Sequence, residues 1–440
     1  MYLTGKIKLI IILCTSLLTC HNLTADDQIK ESLISDNHAN YSKEEAQTSD
    51  EPNLDVILNH YVEAIEKKEG EDGPYSHDLP EMLYSLEKRL QSNNRFDEAI
   101  GIFRKAIYVN RINDGLYSLS QEATLRAIIE SQKTQGKIEE VATGYSQLLQ
   151  VYLKNYEEND PKLLVILDEF SNWALEAYSQ TSGRNDSYHL ETAFDLYSYA
   201  IRIASAKYGG MHPNLLPFLN NLATTCYYLS VHQRRFPDYR ETDTSLPFGY
   251  RSMARVNQVV GRGAYYKHGQ ILQNQILQIY DENPNFTLSE IAEGQTNLGD
   301  WYLLFGKYKL AMTAYEKSYE IVAMDQQSKK NLDKIYSQPL MLPKRTRYSY
   351  AEKNEVLTSI KAQDKSHLSN TTNYVNLTVD ITDGGNPVNF DVKEIYPPEM
   401  DSFGTRAIET IRMKKFRPQL IKGSPVLSVK YPIRVIIPNE

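Results

Sequence analysis

The stretch Ile291 to Ala323 constrains this chain more than any other, because it fixes a register that can be laid over most of the sequence. Leu298, Gly299 and Tyr302 fall at helical spacing on one face, Gly306 interrupts the run, and Tyr308, Ala311, Tyr315 and Ser318 resume the same spacing. The stretch therefore reads as two helices joined by a tight turn at Gly306. Small residues stand where the two helices must touch, with serine at 318 where alanine would be the commoner choice.

The register recurs. Leu83, Leu86 and Leu90 lead through Asn93-Asn94 to Phe96, Ala99, Phe103 and Ala106, the same hairpin with asparagine replacing the turn glycine. A further copy holds Leu125, Ile128, Ile129, Gly136, Ile138, Val141, Tyr145 and Leu148. Another second helix runs through Tyr188, Ala193, Tyr197 and Ala200, followed by Tyr208-Gly209-Gly210, His212-Pro213 and Leu219-Asn220-Asn221-Leu222-Ala223. This pattern resembles the tetratricopeptide repeat, with copies further apart than its usual 34 residues, and the succession of glycine, His212-Pro213 and Leu219-Asn220-Asn221-Leu222-Ala223 resembles the long-repeat variety found in kinesin light chains and many bacterial proteins. The resemblance implies stacked hairpins that bury their apolar stripes only against neighbours and form an elongated superhelix whose concave surface grips proteins or peptides.

Residues 231–263 interrupt the repeat spacing with Arg234, Arg235, Arg240, Arg251 and Arg255 among Phe236, Tyr239, Phe248 and Tyr250. They are read either as an inserted decoration or as a partner-binding element. The 32 tyrosines against 2 tryptophans suit aromatic packing between helices rather than chemistry. A formal net charge of -8 gives nothing that attracts a polynucleotide, so no nucleic-acid partner is expected.

The first residues read as an address. Lys6 and Lys8 precede an apolar run from Leu9 to Leu18, and Leu23-Thr24-Ala25 offers a cleavage site before Asp26. The run falls short of the about 20 apolar residues that a membrane helix needs, so export with removal of residues 1–25 is expected. The alternative is a retained or lipidated N-terminus, with Cys20 as the lipid acceptor, which would give membrane association. Cleavage leaves Cys226 as the only thiol and excludes an internal disulfide. Residues 26–53, polar and acidic, read as a solvated leader.

The C-terminal segment changes period. Val375, Leu377, Val379 and Ile381 alternate with polar residues, Asp383-Gly384-Gly385-Asn386 makes a turn, and Val388, Phe390 and Val392 alternate again. A helix from about Ser402 carries Phe403, Ala407 and Ile411 on one face. In a last strand Leu427, Val429, Tyr431, Ile433, Val435 and Ile437 share one face, opposed by Ser428, Lys430, Pro432 and Arg434. The expected fold class is mainly α, a helical-repeat solenoid, plus a small α+β module of order β-β-α-β. Its parts are an array over 54–324, a linker over 325–372 carrying one or two short helices and the basic patch Lys344-Arg345-Arg347, and the module over 373–440.

The hairpin with its Asp-Gly turn, the element Phe416-Arg417-Pro418, and Gly423 with Pro425 before the last strand resemble the C-terminal domain of TonB energy-transducer proteins. The resemblance implies a periplasmic domain that meets an outer-membrane transporter and accepts its short extended box as an added strand. Carried onto this chain, that places strand addition along Val426 to Ile437, with Val426, Ser428, Lys430 and Arg434 as partner-binding residues. Pro432 is an obstacle, having no N-H to donate.

No HExxH, GxSxG, GxxxxGK with Ser or Thr, or paired CxxC occurs, and the nine histidines are scattered. No catalytic, cofactor-binding or metal-binding residue is nominated. Two functions stay open: a TonB-type component engaging an envelope or transporter partner, or a periplasmic scaffold for an envelope assembly without energy coupling. The short cleavable signal and the helical array, in place of an anchor and a proline-rich spacer, keep the second alive.

Overall fold

The computed structural model describes residues 54–181, 186–236, 263–344 and 373–437. The signal and leader readings, and residues 237–262 of the interruption, lie outside them. The chain divides into two compact units, Met1–Asn155 and Tyr156–Glu440. The division falls inside 54–324, and residues 373–440 belong with the second unit.

The first unit holds α1 (Leu54–Asp72), α2 (Leu79–Ser92), α3 (Phe96–Asp114), α4 (Glu122–Thr134) and α5 (Ile138–Asn155). The second holds α6 (Leu163–Thr181), α7 (Ser187–Tyr208), α8 (Leu216–Arg235), α9 (Ala264–Glu282), α10 (Leu288–Leu304), α11 (Tyr308–Ile321) and α12 (Gln326–Tyr336). Within each unit, successive described helices up to α11 pack against one another, with apolar positions buried between them: Leu83, Leu86, Leu90, Ala99, Phe103 and Ala106 in one hairpin, Leu125, Val141, Tyr145 and Leu148 in the next.

Three hairpins share one turn. Asn94, Gly136 and Gly306 take left-handed backbone, with φ of 63°, 70° and 69°. In each, the following amide returns to a carbonyl five residues back: Arg95 to Leu90 at 3.0 Å, Lys137 to Gln132 at 2.9 Å, Lys307 to Tyr302 at 2.8 Å. This is the Schellman closure of a helix, and it demands the one conformation that glycine adopts freely and asparagine tolerates. The expected substitution of asparagine for glycine at 94 is thereby given its reason.

A second device joins one hairpin to the next and is invisible in the apolar spacing. After α3 and after α7 the chain turns at Gly115 and Gly209, whose amides close on Arg111 and Ser205. The following Ser118 side chain accepts from the Ser120 amide and His212 Nδ1 accepts from the Asn214 amide, each opening a short 3-10 turn that feeds the next helix. His212-Pro213 thus acts as a helix cap. Cys226 is fully buried in α8, and burial pushes its thiol up.

The stretch read as a linker is partly built into the second unit. α12 lays Leu332 and Tyr336 against α10 and α11, and β1 (Leu340–Leu342) follows with Leu342 in the same core. Lys344, from the expected basic patch, pairs with Glu293 of α10 at 2.6 Å. Arg345 and Arg347 lie outside the described residues.

The module comprises β2 (Tyr374–Ile381), β3 (Pro387–Tyr396), α13 (Ser402–Arg412), β4 (Lys415–Arg417), β5 (Gln419–Ile421), β6 (Ser424–Val426) and β7 (Ser428–Ile436). β2 is the centre of an antiparallel sheet of order β3-β2-β7. Its alternate residues Val375, Leu377, Val379 and Ile381 meet Phe403, Ala407 and Ile411 of α13, which closes the core. The expected β-β-α-β order is present with three short strands added between α13 and β7.

Gly306 has open space around it, so only its backbone restricts it. Gly306→Val should destabilise by about 1 kcal/mol or more, whereas Gly306→Asn, repeating what stands at 94, should cost less. Urea unfolding of the two variants separates these outcomes. Glu87 sits among Leu83, Leu86 and Leu90 on the buried stripe of α2, and neither carboxylate oxygen has a hydrogen-bond partner among the described residues. Burial pushes its carboxyl up to about 10, so it is neutral in the folded protein at pH 7 and charged when unfolded. Its contribution is fully present below the ordinary Glu value and declines as pH rises towards about 10, by on the order of 1 kcal/mol per pH unit. Glu87→Gln should flatten that slope in a pH series of unfolding midpoints.

Candidate interaction site on the terminal module

Two faces of the module carry the residues nominated from sequence, and the structure separates them. The first is the face turned towards the last repeat. Arg417, the centre of Phe416-Arg417-Pro418, is only 3% exposed and places Nη1 3.4 Å from Oδ2 of Asp300 on α10. The other Asp300 oxygen accepts from the Tyr315 hydroxyl of α11 at 2.8 Å. The guanidinium lies over the Tyr336 ring, 5.5 Å from its centroid. Tyr336 in turn shares hydrogen bonds with Thr296 at 2.7 Å and Ser318 at 2.5 Å.

Serine at 318, the departure from the repeat pattern, thus holds the hydroxyl of a tyrosine supplied by the helix that caps the array. Gly299 is required for the same cluster, since a methyl group there would fall 2.4 Å from the Tyr315 ring. Burial raises the Asp300 carboxyl above the ordinary Asp range, and Arg417 pulls it back part of the way.

Around this polar centre, β1 pairs with β4 antiparallel in the register Leu340 to Arg417, Met341 to Phe416 and Leu342 to Lys415. Leu420 of β5 enters the core formed by Leu303, Tyr315, Leu332, Tyr336 and Leu342. Phe416 itself turns the other way, into the module's own core with Val375, Leu377 and Ile411, and its amide donates to the Gly385 carbonyl at 2.9 Å. The family-like motif therefore serves two cores at once: phenylalanine holds the module together, and arginine joins it to the last repeat.

The second face is the outer edge of β7. The Ile437 amide donates to the Asn373 carbonyl at 2.9 Å. By strand alternation the amides of Val435, Ile433 and Tyr431 also face β2, and positions 436, 434 and 432 face outward. Pro432, opposite Thr378, accordingly sits where its missing N-H falls on the open side. Arg434 and Ile436 supply the outward donors. Arg434 lies over the Tyr374 ring at 4.3 Å and donates from Nε to Asn376 at 2.8 Å, so its side chain is held along the open face of the sheet.

The other nominated residues are placed differently. Val426 belongs to β6 and pairs with Gln419, not with the β2-β7 sheet. Ser428 turns inward and its hydroxyl donates to the Gln419 side chain at 3.3 Å. Lys430 has left-handed backbone, φ 55°, and its amide is taken by the Asp380 carboxylate at 2.7 Å. The uniform face expected from Leu427 to Ile437 breaks there: Leu427 and Val429 are 56% and 61% exposed, whereas Val435 and Ile437 are buried. The cause is a bulge, with the β2-β7 register skipping between Val379 and Ile381.

A matching irregularity occurs on the other side of β2, where Asn389 also has positive φ and donates from its amide side chain to Asp380 at 2.9 Å. One carboxylate in the central strand therefore pins a bulge in each flanking strand. Neither Asp380 nor Asp300 is marked out by the sequence pattern. Among the described residues no group of three His, Cys, Asp or Glu side chains is placed to hold a metal ion, and no helix is long and apolar enough to cross a membrane.

The shared left-handed turns, the paired helices and the small residues between them make the helical part a succession of helical hairpins, the fold expected of a helical-repeat solenoid. No family model matches the chain, and no curated protein matches it. Solved structures similar to it include the nearly identical TPR-like repeats of kinesin light chain type from Podosopora anserina, at 15% identity over 56% of this chain and 95% of that one, with a TM-score of 0.37. A point variant of those repeats gives 15%, 56% and 95% with a TM-score of 0.36. BtubC (BKLC) from P. vanneervenii gives 15% over 62% and 92%, with a TM-score of 0.33.

The bulge anchor can be tested. Hydrogen bonds from Asn389 and the Lys430 amide hold the Asp380 carboxyl below its ordinary range. That contribution is present above the ordinary Asp value and lost as pH falls through the lower folded one. Asp380→Ala should therefore lower the melting temperature at pH 7, with the gap to the parent protein closing on acidification below about pH 4. A gap independent of pH would show that the carboxylate charge is not what holds the bulges.

Proposed function

We propose that this protein is a non-enzymatic interaction protein of the cell envelope, exported to the periplasm, in which a tetratricopeptide-like array and its terminal module act together as a scaffold. The observation that carries this reading is the burial of Arg417 against Asp300. An energy-coupling module has to travel from its anchor to a distant transporter. Here the arginine of the family-like element seats the module at one place on the last repeat, which suits a docking platform. The partners are proteins or peptides, and the β7 edge from Tyr431 to Ile437 is the element that takes an extended segment.

A second reading, a TonB-type transducer engaging an outer-membrane transporter, draws support from the β3-β2-β7 order with β7 at the edge and from the outward amides of Arg434 and Ile436. Site-specific photo-crosslinking from position 434 in the cells of origin distinguishes the two. The scaffold reading expects crosslinks to envelope proteins that persist when the proton-motive force is collapsed. Crosslinks to an outer-membrane transporter that vanish with the force would replace it by the second reading, and recovery of the protein from the cytoplasm would overturn both.

A further inference from the structure

The contact between the terminal module and the last repeat differs in kind from the cores on either side of it. Each side has its own apolar cluster: Val375, Leu377, Phe403, Ala407, Ile411 and Phe416 in the module, and Leu303, Ala311, Tyr315, Leu332, Tyr336 and Leu342 in the repeat. The module's contribution to the second cluster is Leu420. Beyond the approach of Gly385 to Leu303 and of Gly423 to Tyr319, and the Arg417 guanidinium over the Tyr336 ring, what else joins them is polar or short. The Arg417 to Asp300 distance of 3.4 Å is long for a charged pair, and the buried Arg417 Nε has no hydrogen-bond partner among the described residues. A buried pair so incompletely satisfied recovers little beyond the cost of removing both charges from water. The strand pairing of β1 with β4 extends over three residues.

We propose that the terminal module is a latch, which opens from the last repeat as a unit when β1 leaves β4 and Arg417 leaves Asp300, while both apolar clusters stay folded. The opened state exposes the β4 edge, Arg417 and Leu420. That edge is now filled by the chain's own Leu340–Leu342, so the closed state covers a surface of the type that takes an added strand. The inference does not depend on compartment or partner; it rests on the seated module of the scaffold reading as its closed state, and its failure would leave that seating in place.

The backbone provides an internal control. The Phe416 amide is bonded to Gly385 inside the module, so by alternation the amides of Lys415 and Arg417 face β1. Residue-resolved hydrogen exchange on the full chain should show Lys415, Arg417, Leu340 and Leu342 exchanging together and faster than Phe416 and the β2 amides Val375 to Val379. Leu420→Ala removes the apolar anchor and should speed the Lys415 and Arg417 amides by about thirtyfold, leaving Phe416 unchanged. The latch is overturned if Phe416 exchanges at the rate of its two neighbours, since the contact would then open only with the module's unfolding. It is equally overturned if Lys415 and Arg417 are as protected as β2.

Discussion

A helical hairpin of this kind has an apolar stripe on both of its sides, and it can bury the second only against something other than itself. Every hairpin in the middle of a stack finds that partner in its neighbour. The last one does not. In this chain the exposed side of α10 and α11 is covered first by α12, through Leu332 and Tyr336, and then by Leu342 and Leu420 from elements that are not helices at all. The terminal module is thus continuous with the need to finish the repeat array.

Finishing the stack with a β-module brings an unusual requirement. The repeat pattern has no place for a charged group between α10 and α11, yet Asp300 and Arg417 both lie there, 117 residues apart in the chain. Thr296, Tyr315, Ser318 and Tyr336 surround them with hydroxyls. Such a cluster tolerates few rearrangements, because each hydroxyl that loses its partner is left buried and unsatisfied. It selects one seating of the module on the repeat, and the selectivity comes from geometry more than from net energy.

The hairpins turning at Asn94, Gly136 and Gly306 were legible in the sequence because two independent signals agreed at each, an apolar period near 3.6 and a glycine or asparagine at the turn, whereas α1, α6 and α9 lacked the second signal. The loops after α3 and α7 were half legible. Tyr208-Gly209 with His212-Pro213 stood out, but its counterpart at Gly115 shares the glycine and the hydrogen bonds and has Ser118 in place of the His-Pro cap. The alternation of β2 and β3 gave the sheet, and the same alternation misplaced the start of β7, because lysine at 430 carries no hint of left-handed backbone. Phe416-Arg417-Pro418 was visible as a motif, whereas its use was not: Asp300 looks like any polar position on a helix until the chain folds back upon it. Residues that act through a long-range partner leave no periodic trace.

The two bulges pinned by Asp380 have a consequence for how the protein behaves in crowded company. A long, regular strand at a sheet margin invites copies of itself to line up without limit, and the growth of such a ladder needs a repeating row of donors and acceptors. On β7 that row is cut at one end by the twist at Lys430 and interrupted by Pro432, and on β3 by the twist at Asn389. The margin that remains on β7 has outward amides only at Arg434 and Ile436, so an edge left in the open is guarded against pairing with copies of itself.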